Sequence, residues 1–447
     1  MIKYLLILLL VPFWVDAQLQ MGQDSGEYPL PEKSICVTPS ERAKINSYLK
    51  ANIEQLKKEG IISTGYRSTS MVTLFDFPLQ KNSTLTFNNY FSVSNYVDHD
   101  NTTGLEDYLC NERTYDGHNG TDYFTYPFPW FMVENDLVEV IAAADGVIIG
   151  KSDNQDDDHC DCFGMWNAVY VQHSDGSIAW YGHLKTNSLT SKNIGESVVS
   201  GEYLGVVASS GCSTGPHLHF EVYDAEDNLI HPYEGTCNSL NASTWWNDQP
   251  SYEDPQINAV VTHSEPPEFG CPGNFEDPHF EDTFYPGDMI YMATYYRDQQ
   301  SGVSTTYTIK RPDQTTWQMW NHSSSSSYYA SYWYWWWYLP TNGPYGTWTF
   351  QAEYDGQIES TSFRYLDPTC SEIFINTYTG PNNGTWNFDA SLWSLGFLPS
   401  SCDVVQIPAG ITLTLEENEI YECYKVELGN NAQIDVSENS QLNINGN

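Results

Sequence analysis

The chain has 447 residues with 58 acidic against 18 basic side chains, a formal charge of −40, so it lacks the Lys and Arg surplus that nucleic acid or an anionic membrane surface requires. Its length allows about three domains, each with its own core. Ten cysteines, an even number, fit an oxidising compartment where disulfides persist.

In chain order, Lys3, the apolar run Leu5 to Val11 and the small residues around Val15-Asp16-Ala17 read as a secretory signal peptide over residues 1–17, which predicts an exported protein. No later stretch is apolar for long enough to span a bilayer. Residues 18–105 read as an N-terminal extension that packs on the domain after it. Within it, Thr38-Pro39-Ser40-Glu41 is a capping box with Pro at the first helical position. Ile45, Leu49 and Ile53 follow at four-residue steps and Gly60 marks a stop, so one amphipathic helix of about twenty residues is expected. Short β-like runs such as Met71 to Phe75 follow, and Cys36 and Cys110 are candidates to tie the extension to the next domain.

Residues 106–246 carry the chemistry. Read as a strand, the run Ser213 to Val222 puts His217, His219 and Glu221 on one face and Leu218, Phe220 and Val222 on the other, towards a core. Upstream, His118-Asn119-Gly120-Thr121-Asp122 offers an imidazole and a carboxylate, with Gly120 disfavouring a helix between them; in extended chain both side chains share a face. Two histidines and one carboxylate form a catalytic kind of zinc set, with a fourth position left for water. Strands are expected over Val138 to Gly150, Ala168 to His173, Ser177 to Leu184 and Tyr203 to Ala208. In the third, Ala179, Tyr181 and His183 share a face, which brings His183 to the cleft of His217. Between the first two lies an acidic insertion, Asp153 to Cys162, that reads either as a solvated loop or as carboxylate ligands for a second cation. Cys160 and Cys162 are too close to bond each other without strain, so Cys212 is expected to pair with one of them.

Asn247 to Pro267 reads as a Pro-rich linker, and residues 255–368 as a β-sandwich of immunoglobulin-like size. In the sandwich, Tyr332 to Tyr338 is aromatic on both faces of a strand: Trp333, Trp335 and Trp337 on one, Tyr332, Tyr334, Trp336 and Tyr338 on the other. A sandwich buries one face of a strand in its own core, so the other is left for a neighbouring domain or a ligand. Trp333, Trp335 and Trp337 are the candidates for glycan contact. Very short strands at close spacing make residues 370–447 a β-solenoid-like segment. It stops at Gly446-Asn447 straight after a rung, where a polar capping repeat is expected, so either the segment is truncated or a partner covers that end.

His118-x-Gly-x-Asp122, then Ala144-Asp145-Gly146-Val147-Ile148, then Tyr181-Gly182-His183-Leu184, then Ser213-Thr214-Gly215-Pro216-His217-Leu218-His219, in that order, resemble the lysostaphin-type zinc metallopeptidases that cut peptidoglycan cross-links. The resemblance covers about residues 106 to 225. It implies a mainly β chain in which a lysostaphin-like β-sheet peptidase domain precedes the sandwich and the solenoid. It further implies His118, Asp122 and His219 as Zn2+ ligands and His183 and His217 as catalytic histidines that do not bind the metal. All five positions are filled. Peptidoglycan peptides are the implied substrate, with other extracellular peptides open. The rival expectation is a non-catalytic wall-binding or adhesin protein that keeps the fold as a scaffold. Glu221 reads either as orienting His219 through its other ring nitrogen or as a surface carboxylate, and the extension either supplies an Asn or Asp to zinc's open position or is merely structural.

Overall fold

The computed structural model describes residues 23–29, 36–63, 72–271, 276–366, 373–386, 390–395, 398–399, 402–444 and 446. The expected signal peptide, residues 1–17, lies outside them. Among the described residues no helix is long and apolar enough to cross a membrane.

The chain is mainly β. Among the described residues the one long helix is Pro39–Lys58, where Thr38 and Glu41 complete the capping box and Ile45, Leu49, Ile53 and Leu56 are buried, as the spacing predicts. It lies on the strand Gly146–Ser152, which Gly150 makes possible: a Cβ there would stand 2.6 Å from Leu49 Cδ2. Asn52 Nδ2 donates to the Ile149 carbonyl at 2.8 Å, fixing the helix along the sheet.

That sheet is antiparallel and runs Ser197–Val198, Gly146–Ser152, Ala168–Gln172, Ile178–Gly182, His217–Tyr223, Thr121–Thr125, Phe91–Asn95, with Leu229–Ile230 paired to the far end of His217–Tyr223. One face holds Leu218, Phe220, Val222, Ala179 and Tyr181 in the main core. The other packs Trp166, Tyr170, Ile178 and Trp180 against the helix and Cys36. The expected single strand from Val138 to Gly150 is instead two, Val138–Ile141 and Gly146–Ser152, in different sheets. The Ser200 amide donates to the Asp145 carboxylate at 2.8 Å and His173 Nδ1 donates to the Asp145 carbonyl at 2.8 Å, holding the turn that separates them.

Two further sheets face each other as a sandwich: Gln23–Glu27, Tyr328–Tyr338, Met289–Gln299, Gln256–His263 in one, and Thr283–Phe284, Gln357–Tyr365, Gly346–Tyr354, Ser304–Lys310, Thr316–Ser323 in the other. Two expectations are corrected here. Gln256–His263 lies inside the expected linker yet is the edge strand of its sheet, paired with Met289–Gln299, and a bulge between Ile257 and Ala259 buries the first in the sandwich core and the second in the core of the peptidase sheet. The extension is also divided: its helix packs on the peptidase sheet, while Gln23–Glu27 adds an edge strand to the sandwich.

The aromatic strand is explained by docking. Trp335 and Trp337 are buried in the sandwich's own core with the half-buried Trp333 packed beside them, so neither Trp335 nor Trp337 has a face to offer a sugar. Tyr332, Tyr334 and Trp336 pack on the core of the peptidase sheet. Polar links reinforce this junction: Arg113 pairs with Asp298 at 3.0 Å, both buried, and Asn258 Nδ2 donates to the Phe91 carbonyl at 3.0 Å.

The last segment is a parallel solenoid, with Phe374–Thr377, Asp403–Ile407 and Lys425–Leu428 stacked on one side and Thr412–Leu415 on Gln433–Val436 on another. Gln406 donates to Glu427, 21 residues on, which is the length of a coil.

Cys162 pairs with Cys212 as expected, and Cys160 with Cys271, so the acidic insertion is pinned beside the site and to the connection between the sandwich strands Gln256–His263 and Thr283–Phe284. Cys110 pairs with Cys237, not with Cys36. The extension is held by packing and hydrogen bonds instead.

Candidate functional site

Strand pairing sets the site. His219 lies opposite Asp122 on one side and Gly182 on the other, so three neighbouring strands bring one histidine, one carboxylate and the chain entering His183 to the same place. His118 enters from the turn before Thr121–Thr125. Gly120 has a role beyond disfavouring a helix: a Cβ there would stand 2.6 Å from His219 Nε2, so only glycine lets the imidazole pass. Gly182 likewise makes room for Trp166, whose ring a Cβ would meet at 2.3 Å.

The three expected donors converge. Asp122 Oδ1 is 3.1 Å from His118 Nε2 and 2.9 Å from His219 Nδ1, and the two nitrogens are 3.3 Å apart. The protons lie on the other ring nitrogens. His118 Nδ1 is 2.7 Å from the Tyr96 carbonyl, which only accepts, so the proton is on Nδ1 and Nε2 carries the lone pair. His219 Nε2 donates to Glu221 Oε2 at 3.0 Å, leaving Nδ1 with the lone pair. Burial raises the Glu221 carboxyl, but the Arg42 guanidinium and the His219 bond outweigh it and bring it to about 2, so it accepts throughout the neutral range. With both rings neutral, two lone pairs and a carboxylate oxygen converge as the donor set a cation needs; where no cation sits among them, the Asp122 carboxylate raises the His219 imidazole against its burial, so that a proton on Nδ1 bridges the pair. The spacings approach the edges of a tetrahedron of ligands about 2.0–2.2 Å from zinc, roughly 3.3–3.6 Å. The donor set fits that ion.

His183 and His217 stand beside this cluster with ring centroids 4.3 Å apart. The expected face-sharing of Ala179, Tyr181 and His183 is corrected: Ala179 and Tyr181 point to the main core, whereas His183, after the strand's end at Gly182, has φ of 63° and turns to the opposite side, against Trp166. Its Nδ1 donates to the Ser210 carbonyl at 2.6 Å, and its Nε2 is buried without a hydrogen-bond partner. Burial pushes the His183 imidazole down, favouring the neutral ring. His217 Nδ1 donates to the Gly215 carbonyl at 2.8 Å, which turns its Nε2 towards Asp122 Oδ1, 3.6 Å away.

Residues the sequence did not bring to notice complete the surroundings. Arg42, on the extension's helix, pairs with Glu221 and so holds His219 at one remove. Asn95 Nδ2 donates to the second oxygen of Asp122 at 3.2 Å. Cys36 places its Sγ so that it and the donor atoms of His118, Asp122 and His219 all lie within 4.8 Å of one another. Neither Arg42 nor Asn95 carries any local pattern. In the acidic insertion, Asp157 and Asp153 accept from the Thr186 and Asn187 amides, and none of the converging donor groups found among the described residues lies there.

A buried cluster of three converging donors on a β-sheet, flanked by two histidines, is the site this fold presents. Residues 118–232 match the family described as Peptidase family M23, and the chain carries an M23, lysostaphin-type, peptidase domain. Among curated proteins, the DD-carboxypeptidase/endopeptidase Mpg of Neisseria meningitidis serogroup B is 42% identical over 82 residues, 18% of this chain and 16% of that protein. The peptidoglycan DD-endopeptidase ShyC of Vibrio cholerae serotype O1 is 35% identical over 104 residues, 23% of this chain and 19% of that protein. The matches therefore span less than a fifth of these relatives' length. Among solved structures, the catalytic domain of lysostaphin from Staphylococcus simulans shares 22% identity, covers 32% of this chain and 90% of its own, and has a TM-score of 0.21.

Proposed function

We propose that this protein is an exported, zinc-dependent endopeptidase that hydrolyses peptide cross-links of peptidoglycan. The reading is carried by the convergence of His118, Asp122 and His219 within a domain of the M23 family. Disulfides such as Cys110–Cys237, Cys160–Cys271 and Cys162–Cys212 support an extracellular or periplasmic setting. His118 Nε2, Asp122 Oδ1 and His219 Nδ1 would hold the ion. Once bound, zinc supplies Lewis acidity, polarising a peptide carbonyl and lowering the pKa of water.

The chain's own residues do the rest. His183, neutral and fixed by Ser210, takes a proton at its bare Nε2. His217 steadies negative charge that develops on the peptide oxygen and is oriented for this by Gly215. Glu221 holds the His219 tautomer, and Arg42 holds Glu221.

The test is digestion of purified peptidoglycan followed by mass spectrometry of the fragments, with metal content measured on the same samples. Cross-linked peptides should disappear, and Asp122→Ala should lose both zinc and turnover. An Asp122→Ala protein that keeps full zinc and full turnover would overturn the ligand set. Protein that binds zinc but releases no peptide from any wall preparation, whether as the full exported chain or with the residues before Thr38 removed, would favour the scaffold reading.

A further inference from the structure

The five site side chains are closed off: His118 is 2% exposed, Asp122 2%, His183 0%, His217 6% and His219 1%. A peptide cannot reach donors in that state. Part of the cover is Cys36, itself buried, in the short stretch before the helix Pro39–Lys58. Its Sγ belongs to two converging groups at once, with His118, Asp122 and His219 and with His183 and His217. Tyr115 Oη lies 3.0 Å and His217 Nε2 3.9 Å from it. The His183 Nε2 left without a hydrogen bond is in the second of these groups.

Cys36 is held there from both sides. The helix that follows packs on the peptidase sheet, and Gln23–Glu27 before it is paired with the aromatic strand of the sandwich. Thiolate sulfur binds zinc at about 2.3 Å, and a set of four protein ligands is the closed, structural form, whereas a catalytic site keeps one position for water.

We propose that Cys36 is a fourth protein ligand of the metal held by His118, Asp122 and His219, and that its segment is a built-in plug which keeps the peptidase latent. The inference rests on the zinc-peptidase reading above and adds its regulation. Activation is a ligand exchange: the Cys36 sulfur leaves with its electron pair, takes a proton from solvent, and water enters the vacated position. Proteolysis on the N-terminal side of Thr38 accomplishes this and retains Arg42, which the site needs. The expected Asn or Asp occupant is replaced by a cysteine.

The test uses the exported chain with Co2+ in place of zinc. Wild type should show a thiolate-to-cobalt charge-transfer band in the near ultraviolet, and Cys36→Ser should bind one equivalent of cobalt without it. With zinc, Cys36→Ser should digest peptidoglycan roughly tenfold or more faster than wild type, because the fourth position is open. Peptide mapping after iodoacetamide should find Cys36 protected by zinc and alkylated once a chelator removes it. These last measurements on wild type do not depend on the variant folding. Cobalt bound without the band, or Cys36 alkylated equally with and without metal, overturns the plug and leaves the peptidase reading standing. Failure of wild type and Cys36→Ser alike to bind any metal overturns both.

Discussion

Replacing Arg42 by methionine tests how far the extension is part of the site. The Arg42 side chain is 19% exposed and its partner Glu221 fully buried, so the substitution leaves a carboxylate in the interior without its cation. Glu221 ordinarily titrates at 4.5 and is held at about 2 in the folded chain, against the opposing pull of burial. That difference, to which Arg42 and His219 both contribute, sets an upper figure of roughly 3 kcal/mol on the loss, comparable with the 3–5 kcal/mol lost when one partner of a buried pair is removed. The sign follows from the depressed pKa. The stabilisation is complete above pH 4.5 and disappears as pH falls towards 2, so Arg42→Met should cost most at neutral pH and progressively less in acid. A second effect runs through His219. A protonated or displaced Glu221 no longer fixes the imidazole tautomer, and zinc affinity should fall by about 10- to 100-fold. Urea unfolding of the metal-free proteins at pH 7 and pH 4, with competitive zinc titration at pH 7, measures both. Arg42→Met within about 0.5 kcal/mol of wild type at pH 7, with unchanged zinc affinity, would refute the reasoning.

Gly120→Ala places a methyl 2.6 Å from the His219 ring and should abolish tight zinc binding while the far-ultraviolet spectrum stays that of a β protein; normal zinc content would show that the ring has room to move. His183→Ala and His217→Ala should retain zinc and, in the Cys36→Ser background where turnover is measurable, lose roughly two to four orders of magnitude of it. Loss of metal in either would mean that a ligand has been misassigned. Glu276, whose Oε1 accepts from the Phe131 amide at 2.8 Å, is pushed up by burial to about 8. A raised carboxyl pKa favours the folded state below about pH 4.5 and progressively less as pH rises through 8, so Glu276→Gln should flatten the fall of thermal midpoint between those values; parallel curves for the two proteins would count against it.

Much of the site was legible because it is written in local pattern. His217, His219 and Glu221 share a face because a strand alternates, and Leu218, Phe220 and Val222 fill the core behind them for the same reason. The helix was legible too, since Thr38, Glu41 and the apolar steps Ile45, Leu49 and Ile53 act within a few residues of one another. His183 shows where alternation stops being a guide: a left-handed residue after Gly182 carries it to the site from the wrong parity. What required tertiary structure was every contact made across the chain. Trp335 and Trp336 carry the same local signal, and only the tertiary structure decides that the first is covered by the sandwich and the second by docking on the peptidase sheet. Arg42 reaches Glu221 across 179 positions and Cys36 reaches His217 across 181, separations at which sequence spacing carries no geometric information. The sequence by itself determined which side chains are able to hold a metal, because ligand chemistry and strand periodicity are local. The packing of the extension onto the sheet decided that these donors lie closed beneath a cysteine, because burial is a property of the assembled surfaces.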